Sequence, residues 1–543
     1  MRNRTTGIAL DVQRALLVLW KAFKYGLFPG SRFIPFLPSR RDSVAVRIRR
    51  MIEDLGLTYL KLGQFLALRY DIIPREICDE LNNLFESVEP MPSAIAQAIV
   101  ERELQGPLAE LFAHFESEPL AAASIAQVHE ALTYDGQRVA VKVQRANLER
   151  IFRADIRNIK RLAGLAQALG VFGKLSAKGM VAQFESWTLR ELDFRIEGRT
   201  AERVQDHAAS NVVIPIVRWD LTTARVLTME FIDGISAADL SKIIERGELD
   251  TVYDRLPGFD PQTAMHNFAF ASFSQLFEFG FFHGDPHPGN ILFLPRNRVA
   301  FLDFGIFGEL TPRERESVTD QIENLALGNI VHSFRAYERQ VAPTEDTDLE
   351  GFRRDALEVL GRWFRALQNP NAPIEERHLA RYTGEMIDVS RRNGLRYDLN
   401  FLLFWRALNN LNATLWQVDQ NFDLIHELRA FFEQIRPGMA QRVNAVLNGE
   451  PWQSSVKELG RNLPRRIGSA LDTVAARMHV NVRVANSQRL RNEQAADGRR
   501  GGLLLLAVSP LLTLTAPALA RSVRFSLCGI VGVLFLLAVR RRT

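Results

Sequence analysis

Residues 283–290 read His-Gly-Asp-Pro-His-Pro-Gly-Asn, and thirteen residues beyond that asparagine stand Asp303, Phe304 and Gly305. These residue types at this spacing suit phosphoryl transfer. Asp285 would lie near the attacking oxygen, and Asn290, five residues later, with Asp303 would hold magnesium against the β- and γ-phosphates. Such chemistry rests mostly on positioning and electrostatics. One of these residues alone carries no information. Three in register, between the strand-like runs Ile291–Phe293 and Val299–Leu302, do.

The partner half of a nucleotide site is expected upstream. Val139-Ala140-Val141-Lys142 has the form of the third strand of a kinase small lobe, which aims a lysine at the α- and β-phosphates. Just before it, Ala121, Ala122, Ala123, Ser124, Ile125, Ala126, Gln127 and Val128 fit the frame Gly-x-Gly-x-x-Gly-x-Val with alanine at each glycine position. A methyl at each of these sites restricts φ/ψ and the approach of backbone to phosphate, so the loop should be stiffer than its glycine counterpart. Glu230 and Ile232 sit where a hinge would offer backbone groups to adenine.

With these motifs the chain resembles the UbiB (aarF-domain) family of atypical, kinase-like proteins. Lys61-Leu62-Gly63-Gln64 matches the family's Lys-x-Gly-Gln motif, Glu191-Leu192-Asp193 its Glu-x-Asp motif, and residues 121–128 its alanine-rich loop. The match covers about residues 40–310, in the expected order. The resemblance implies an α+β, bilobal protein-kinase-like fold with a helical N-terminal extension. It also implies ATP and Mg2+ as cofactors, and a role in ubiquinone biosynthesis as an ATP-hydrolysing accessory protein. The partners it suggests are a lipid or quinone precursor and other enzymes of that synthesis, with no nucleic acid. The Lys-x-Gly-Gln helix should lie over the active site, where a peptide substrate would otherwise bind.

A kinase lysine is oriented by a carboxylate on a following helix. Here that helix carries Glu191, Asp193 and Glu197. At about 100° per residue Asp193 and Glu197 share a face and Glu191 points elsewhere. Glu197 is expected to partner Lys142, with Glu191 and Asp193 left to the metal or to Lys61 and Gln64. The long stretch from Lys142 to Glu191 implies inserted helices. Gly284 replaces the arginine that pairs with a phosphorylated activation loop, and no nearby Ala-Pro-Glu follows Asp303, so a platform for peptide substrate is missing.

Length and composition fit two or three units: 543 residues, 47% hydrophobic, formal charge +5. Two cysteines, Cys78 and Cys528, exclude a disulfide framework or zinc site. The N-terminal apolar run is short and charge-flanked, so no secretory signal is read. A basic amphipathic helix that lies on an anionic membrane or packs on the body is expected instead. Near the other end, Leu503–Ala520 and Phe525–Val539 are uncharged, with Pro510 and Pro517 in the first and Arg521 and Arg524 between them. Two such segments read as a transmembrane helical hairpin, either crossing or embedded. Arginines are denser outside the hairpin than in its turn, which places the body on the cytoplasmic side of a bacterial inner membrane.

The organisation expected is an arm over 1–40, a helical extension over 41–118, a small lobe over 119–234 with strands at 212–216 and 225–230, a helical large lobe over 235–480, a polar linker over 481–502 and the hairpin over 503–539. Two other functions remain open. One is a Ser/Thr protein kinase, and the other is a nucleotide-sensing scaffold without phosphotransfer.

Overall fold

A computed structural model describes residues 2–27, 42–84, 89–168, 176–369 and 371–436. The segments expected to form the linker and the membrane hairpin lie outside these residues. Among the described residues no helix is long and apolar enough to cross a membrane.

The chain opens with α1 (Arg2–Lys24), α2 (Val44–Leu55), α3 (Leu57–Ala67) and α4 (Arg75–Asn82). Gly56 takes φ +87°, a conformation open to glycine, and this separates α2 from α3 within the expected helical extension. After α5 (Ser93–Leu104) and α6 (Leu108–Leu111) comes a sheet of β1 (His114–Phe115), β2 (Ala121–Ala122), β3 (Ala126–Leu132) and β4 (Arg138–Gln144). It begins a few residues before the expected small lobe. Period-two alternation orients β4: Val139, Val141 and Val143 are buried against Ile99 and Val100 of α5, which turns Ala140 and Lys142 to the opposite face.

The helices inserted after β4 are α7 (Leu148–Ala168) and α8 (Ala177–Glu191), followed by α9 (Phe194–Gln205). Of the two further strands expected in the small lobe, one belongs elsewhere. β5 (Val212–Val213) runs parallel to β10 (Arg298–Phe301), outside the small-lobe sheet, whereas β6 (Val226–Glu230) pairs with β4. Residues 216–218 form an edge on β6 instead, with Arg218 N–H donating to the Thr228 carbonyl at 2.8 Å.

The large lobe holds β7 (Ile235–Ser236), α10 (Ala237–Arg246), α11 (Leu249–Arg255), α12 (Pro261–Phe273), β8 (Phe281–His283), β9 (Ile291–Leu294) and β11 (Phe307–Glu309). It ends with α13 (Pro312–Ala326), α14 (Ile330–Glu338), β12 (Val341–Pro343), α15 (Leu349–Gln368), α16 (Ile374–Arg377), α17 (Leu379–Arg392), β13 (Leu395–Tyr397), α18 (Leu399–Val418) and α19 (Leu424–Ile435). Its core is rich in phenylalanine: Phe268, Phe273, Phe282, Phe304, Phe404 and Phe432 are all buried. The β8–β11 and β9–β10 pairs anchor the two loops that carry Asp285 and Asp303. In the second pair Leu302 N–H donates to the Asn290 carbonyl at 3.0 Å, which sets Asn290 and Asp303 side by side.

Candidate active site

Between the two lobes lies a cleft of about 1380 Å³. Val128, Ala140, Met229, Glu230 and Ile232 give it an upper wall, Leu302 part of its lower one, and Lys142, Asp285, Asn290 and Asp303 face into it. Lys61, Gln64, Glu191 and Glu197 line the same space.

Lys142 is the hub. Its Nζ donates to Glu197 Oε1 at 2.6 Å and lies 3.6 Å from Asp303 Oδ1. Burial works against the ammonium, but Asp303 and Glu197 beside it hold its pKa above the ordinary lysine value. One cation cannot satisfy two carboxylates equally. The Glu197 side chain is only 6% exposed, and burial with Asp303 nearby outweighs Lys142 to push it up to about 7. Asp303 keeps 42% of its side chain exposed to the cleft. Burial opposes its charge too, but Lys142 and the Gly305 N–H, 2.9 Å from Oδ1, hold its pKa well below the usual range.

The helix expected to carry all three acidic residues is broken. α8 ends at Glu191, and Asp193 caps α9, accepting from the Arg195 N–H at 3.1 Å. Asp193 also pairs with the Arg195 side chain, and it does not line the cleft. Glu197 falls in the first turn of α9, where the helix dipole favours a carboxylate. Glu191 turns the other way, and Lys61 of α3 meets it at 2.8 Å with both side chains buried. Of the two roles left open for Glu191, this geometry selects Lys61. A methyl at Gly63 would run into Leu84 Cδ1 and lie 3.2 Å from Ile52 Cγ2, so glycine there lets α3 pack closely.

The alanine-rich loop is a tight hairpin in which Ala123 N–H donates to the Ala126 carbonyl at 2.8 Å. Ala121, Ala123, Ser124, Ile125 and Val128 reach the cleft. Ala122 and Ala126 do not; Ala126 shares the face of β3 that carries Val128, but it is packed against the core there and is 1% exposed. Arg145 braces the loop. Its Nε donates to the Ala123 carbonyl at 3.1 Å, its N–H to the Ile125 carbonyl at 2.9 Å, and its Nη2 to the Glu89 carbonyl at 2.8 Å.

Asp285 is held by residues that carry no motif. Arg406 Nη2 donates to its Oδ2 at 2.7 Å and Asn410 Nδ2 to its Oδ1 at 2.6 Å. One turn on, Thr414 donates to the Pro286 carbonyl at 3.2 Å. Positions 406, 410 and 414 share one face of α18. The signal available was that Arg406 is the only charged residue in that twenty-residue helix. Each oxygen of Asp285 thus accepts one hydrogen bond and has capacity for a second. His283 stays neutral, because burial pushes its pKa down, and its Nδ1 accepts from the Asp285 N–H at 3.1 Å. At Gly284 a Cβ would stand 3.0 Å from Ile306 Cγ2 and 3.3 Å from the Ile306 carbonyl, so the close β8–β11 approach disfavours a side chain there.

Among the described residues no three His, Cys, Asp or Glu side chains gather to form a self-sufficient metal site. A magnesium ion taken up with nucleotide needs less, because phosphates and water complete its shell. The Asp303 carboxylate and the Asn290 amide, side by side on the cleft wall, fit that requirement.

This fold and site define a kinase-like α+β protein. The description "ABC1 atypical kinase-like domain" matches residues 83–332. A probable protein kinase UbiB of Marinobacter nauticus is 29% identical, over 88% of this chain and 87% of its own. Protein ACTIVITY OF BC1 COMPLEX KINASE 7, chloroplastic, of Arabidopsis thaliana is 28% identical over 73% of this chain, which spans 55% of that relative. A Mycobacterium tuberculosis protein solved with erythromycin superposes with TM-score 0.48 and 24% identity, over 71% of this chain and 94% of that one. Over these residues the chain is similar to the UbiB/ABC1 family of atypical kinase-like proteins.

Proposed function

We propose that the protein binds Mg-ATP in this cleft, hydrolyses it, and supports ubiquinone biosynthesis by acting on or presenting lipid precursors. In this reading it sits at a bacterial inner membrane, anchored through the apolar segments at 503–539, with its body on the cytoplasmic side. The observation that carries the reading is the Lys142 ammonium, poised between Glu197 and Asp303 and facing Asp285 across one cleft. Lys142 would hold α- and β-phosphate oxygens as a point charge. Asn290 and Asp303 would hold magnesium, which when bound neutralises phosphate charge. Asp285, fixed by Arg406 and Asn410, would orient water or a small acceptor.

A protein-kinase reading is disfavoured by Gly284 and by the Lys61–Gln64 helix at the cleft. The scaffold reading is the second, because Arg406 and Asn410 each take up one hydrogen bond at Asp285, which restrains it from moving with an acceptor. ATP hydrolysis by the full chain in anionic bilayers, with and without a phenolic quinone precursor, separates them. Hydrolysis abolished by Asp303→Asn, with loss of the quinone pool in cells carrying only that variant, supports the enzyme. Nucleotide uptake with no turnover under any of these conditions supports the scaffold.

A further inference from the structure

The N-terminal helix has two faces with different partners. Toward the body, α1 is riveted by charge. Asp11, 5% exposed, accepts from Arg157 at 2.6 Å and lies 3.3 Å from Arg161, both on α7. Arg14 pairs with Asp155 of α7 at 2.7 Å, and Lys21 and Lys24 meet Asp54 of α2 at 2.8 and 2.7 Å. Leu17 and Val18 pack against the core of α2 and α3. Packing on the body, one of the two roles expected for this helix, is therefore present.

The opposite face does not pack on the described body. Val12, Leu16 and Trp20 are 53%, 55% and 60% exposed, and Phe23 stacks on Trp20 with ring centroids 6.1 Å apart. At about 100° per residue, positions 12, 16 and 20 fall within about 80° of one another, a continuous apolar ridge. Single exposed apolar residues are ordinary, but an aligned set on one helix is not. The charge beside it has a sign. Arg157 and Arg161 share the single carboxylate of Asp11, and Lys21 and Lys24 share that of Asp54, so each cluster carries one surplus positive charge. Arg157 and Arg161 keep 44% and 63% of their side chains exposed. Apolar residues with a tryptophan, flanked by surplus cations, complement the interface of an anionic bilayer.

We propose that α1 is a membrane-docking ridge that seats Val12, Leu16 and Trp20 in the headgroup region of an anionic bilayer. The proposal rests on the membrane-association part of the functional reading, and not on the nucleotide cleft. Docked this way, α1 ties the bilayer through Arg14–Asp155 and Lys61–Glu191 to the helices that pack around the cleft.

The test places a nitroxide at Leu16→Cys or Trp20→Cys in the full chain with Cys528→Ser, Cys78 being fully buried. Tyr253→Cys on α11, an exposed site in the large lobe, is the control. Collision rates with oxygen and with a water-soluble nickel chelate are compared in phosphatidylglycerol–phosphatidylcholine vesicles and in phosphatidylcholine alone. The oxygen-to-nickel ratio at both ridge sites should exceed that of the control on the order of threefold or more in anionic vesicles, and fall in neutral ones. Nickel access equal to the control overturns the proposal. So does shielding from both reagents without lipid, whether by a second copy, seen as spin–spin broadening, or by another segment of the chain. A label on native Cys528 reads the C-terminal segment separately: bilayer burial there with water-exposed ridge labels sinks the docking role and spares the anchor.

Discussion

Replacing Glu197 by glutamine should change the pH dependence of stability in a calculable way. Glu197 is the one group of the Lys142 cluster whose pKa is brought into the physiological range, up to about 7 from an ordinary 4.5. The folded state then binds more protons than the unfolded state between those values. Stability contributed through this group is present at low pH and is lost as pH rises from about 4.5 through about 7. A shift of this size corresponds to roughly 3 kcal/mol, of which about 2–3 kcal/mol develops between pH 5 and pH 8. Lys142 and Asp303 are shifted away from that window, in opposite directions, and do not confuse it. His283, whose pKa is lowered, is common to both proteins and cancels in the difference. Glutamine keeps an oxygen for the Lys142 hydrogen bond and removes the titration. Denaturant unfolding of the full chain and of Glu197→Gln, at intervals from pH 5 to pH 8 without nucleotide, gives the differential directly. The variant should gain on the wild type by about 2–3 kcal/mol across the range. A differential that is flat, or that favours the wild type as pH rises, is incompatible with a raised Glu197 pKa.

Two other predictions follow from named contacts. Arg406→Leu, of similar bulk, should leave the fold intact but free Asp285, lowering turnover by about 10–100-fold through kcat more than KM, read by steady-state hydrolysis. Lys61→Met removes the cation paired with the buried Glu191 carboxylate and should cost about 3–5 kcal/mol in denaturant unfolding, whereas Lys61→Met with Glu191→Leu should recover most of that loss.

The residues that line the cleft were legible because their spacing is local. Asp285 to Asn290, and the alternation of Val139, Val141 and Val143 that turns Lys142 outward, depend on a few residues of strand or loop. The Lys142–Glu197 pair crosses 55 residues, yet a fixed role in a known motif pointed to it. What was not legible depends on tertiary contact without a motif. Arg406 and Asn410 reach Asp285 from more than 120 residues away. Arg145 braces the alanine loop as part of the residues just past β4, and nothing in its local sequence marks that role. The break between Glu191 and Asp193 was missed because Asp193 reads equally well as a helical residue or as the cap that it is. Residues 212–213 have strand composition, but composition does not say which sheet a strand joins, and β5 joins β10.

Lys142, Asn290 and Asp303 are proposed to form one receptor for a magnesium–nucleotide complex. Equilibrium titration of the full chain with ATP, with and without magnesium, tests it most directly, in the wild type and in Asp303→Asn. Saturable uptake at one site is expected, tightened by magnesium in the wild type, with that magnesium dependence lost in the variant. No saturable uptake by the wild type, or the same magnesium dependence in both proteins, would contradict it.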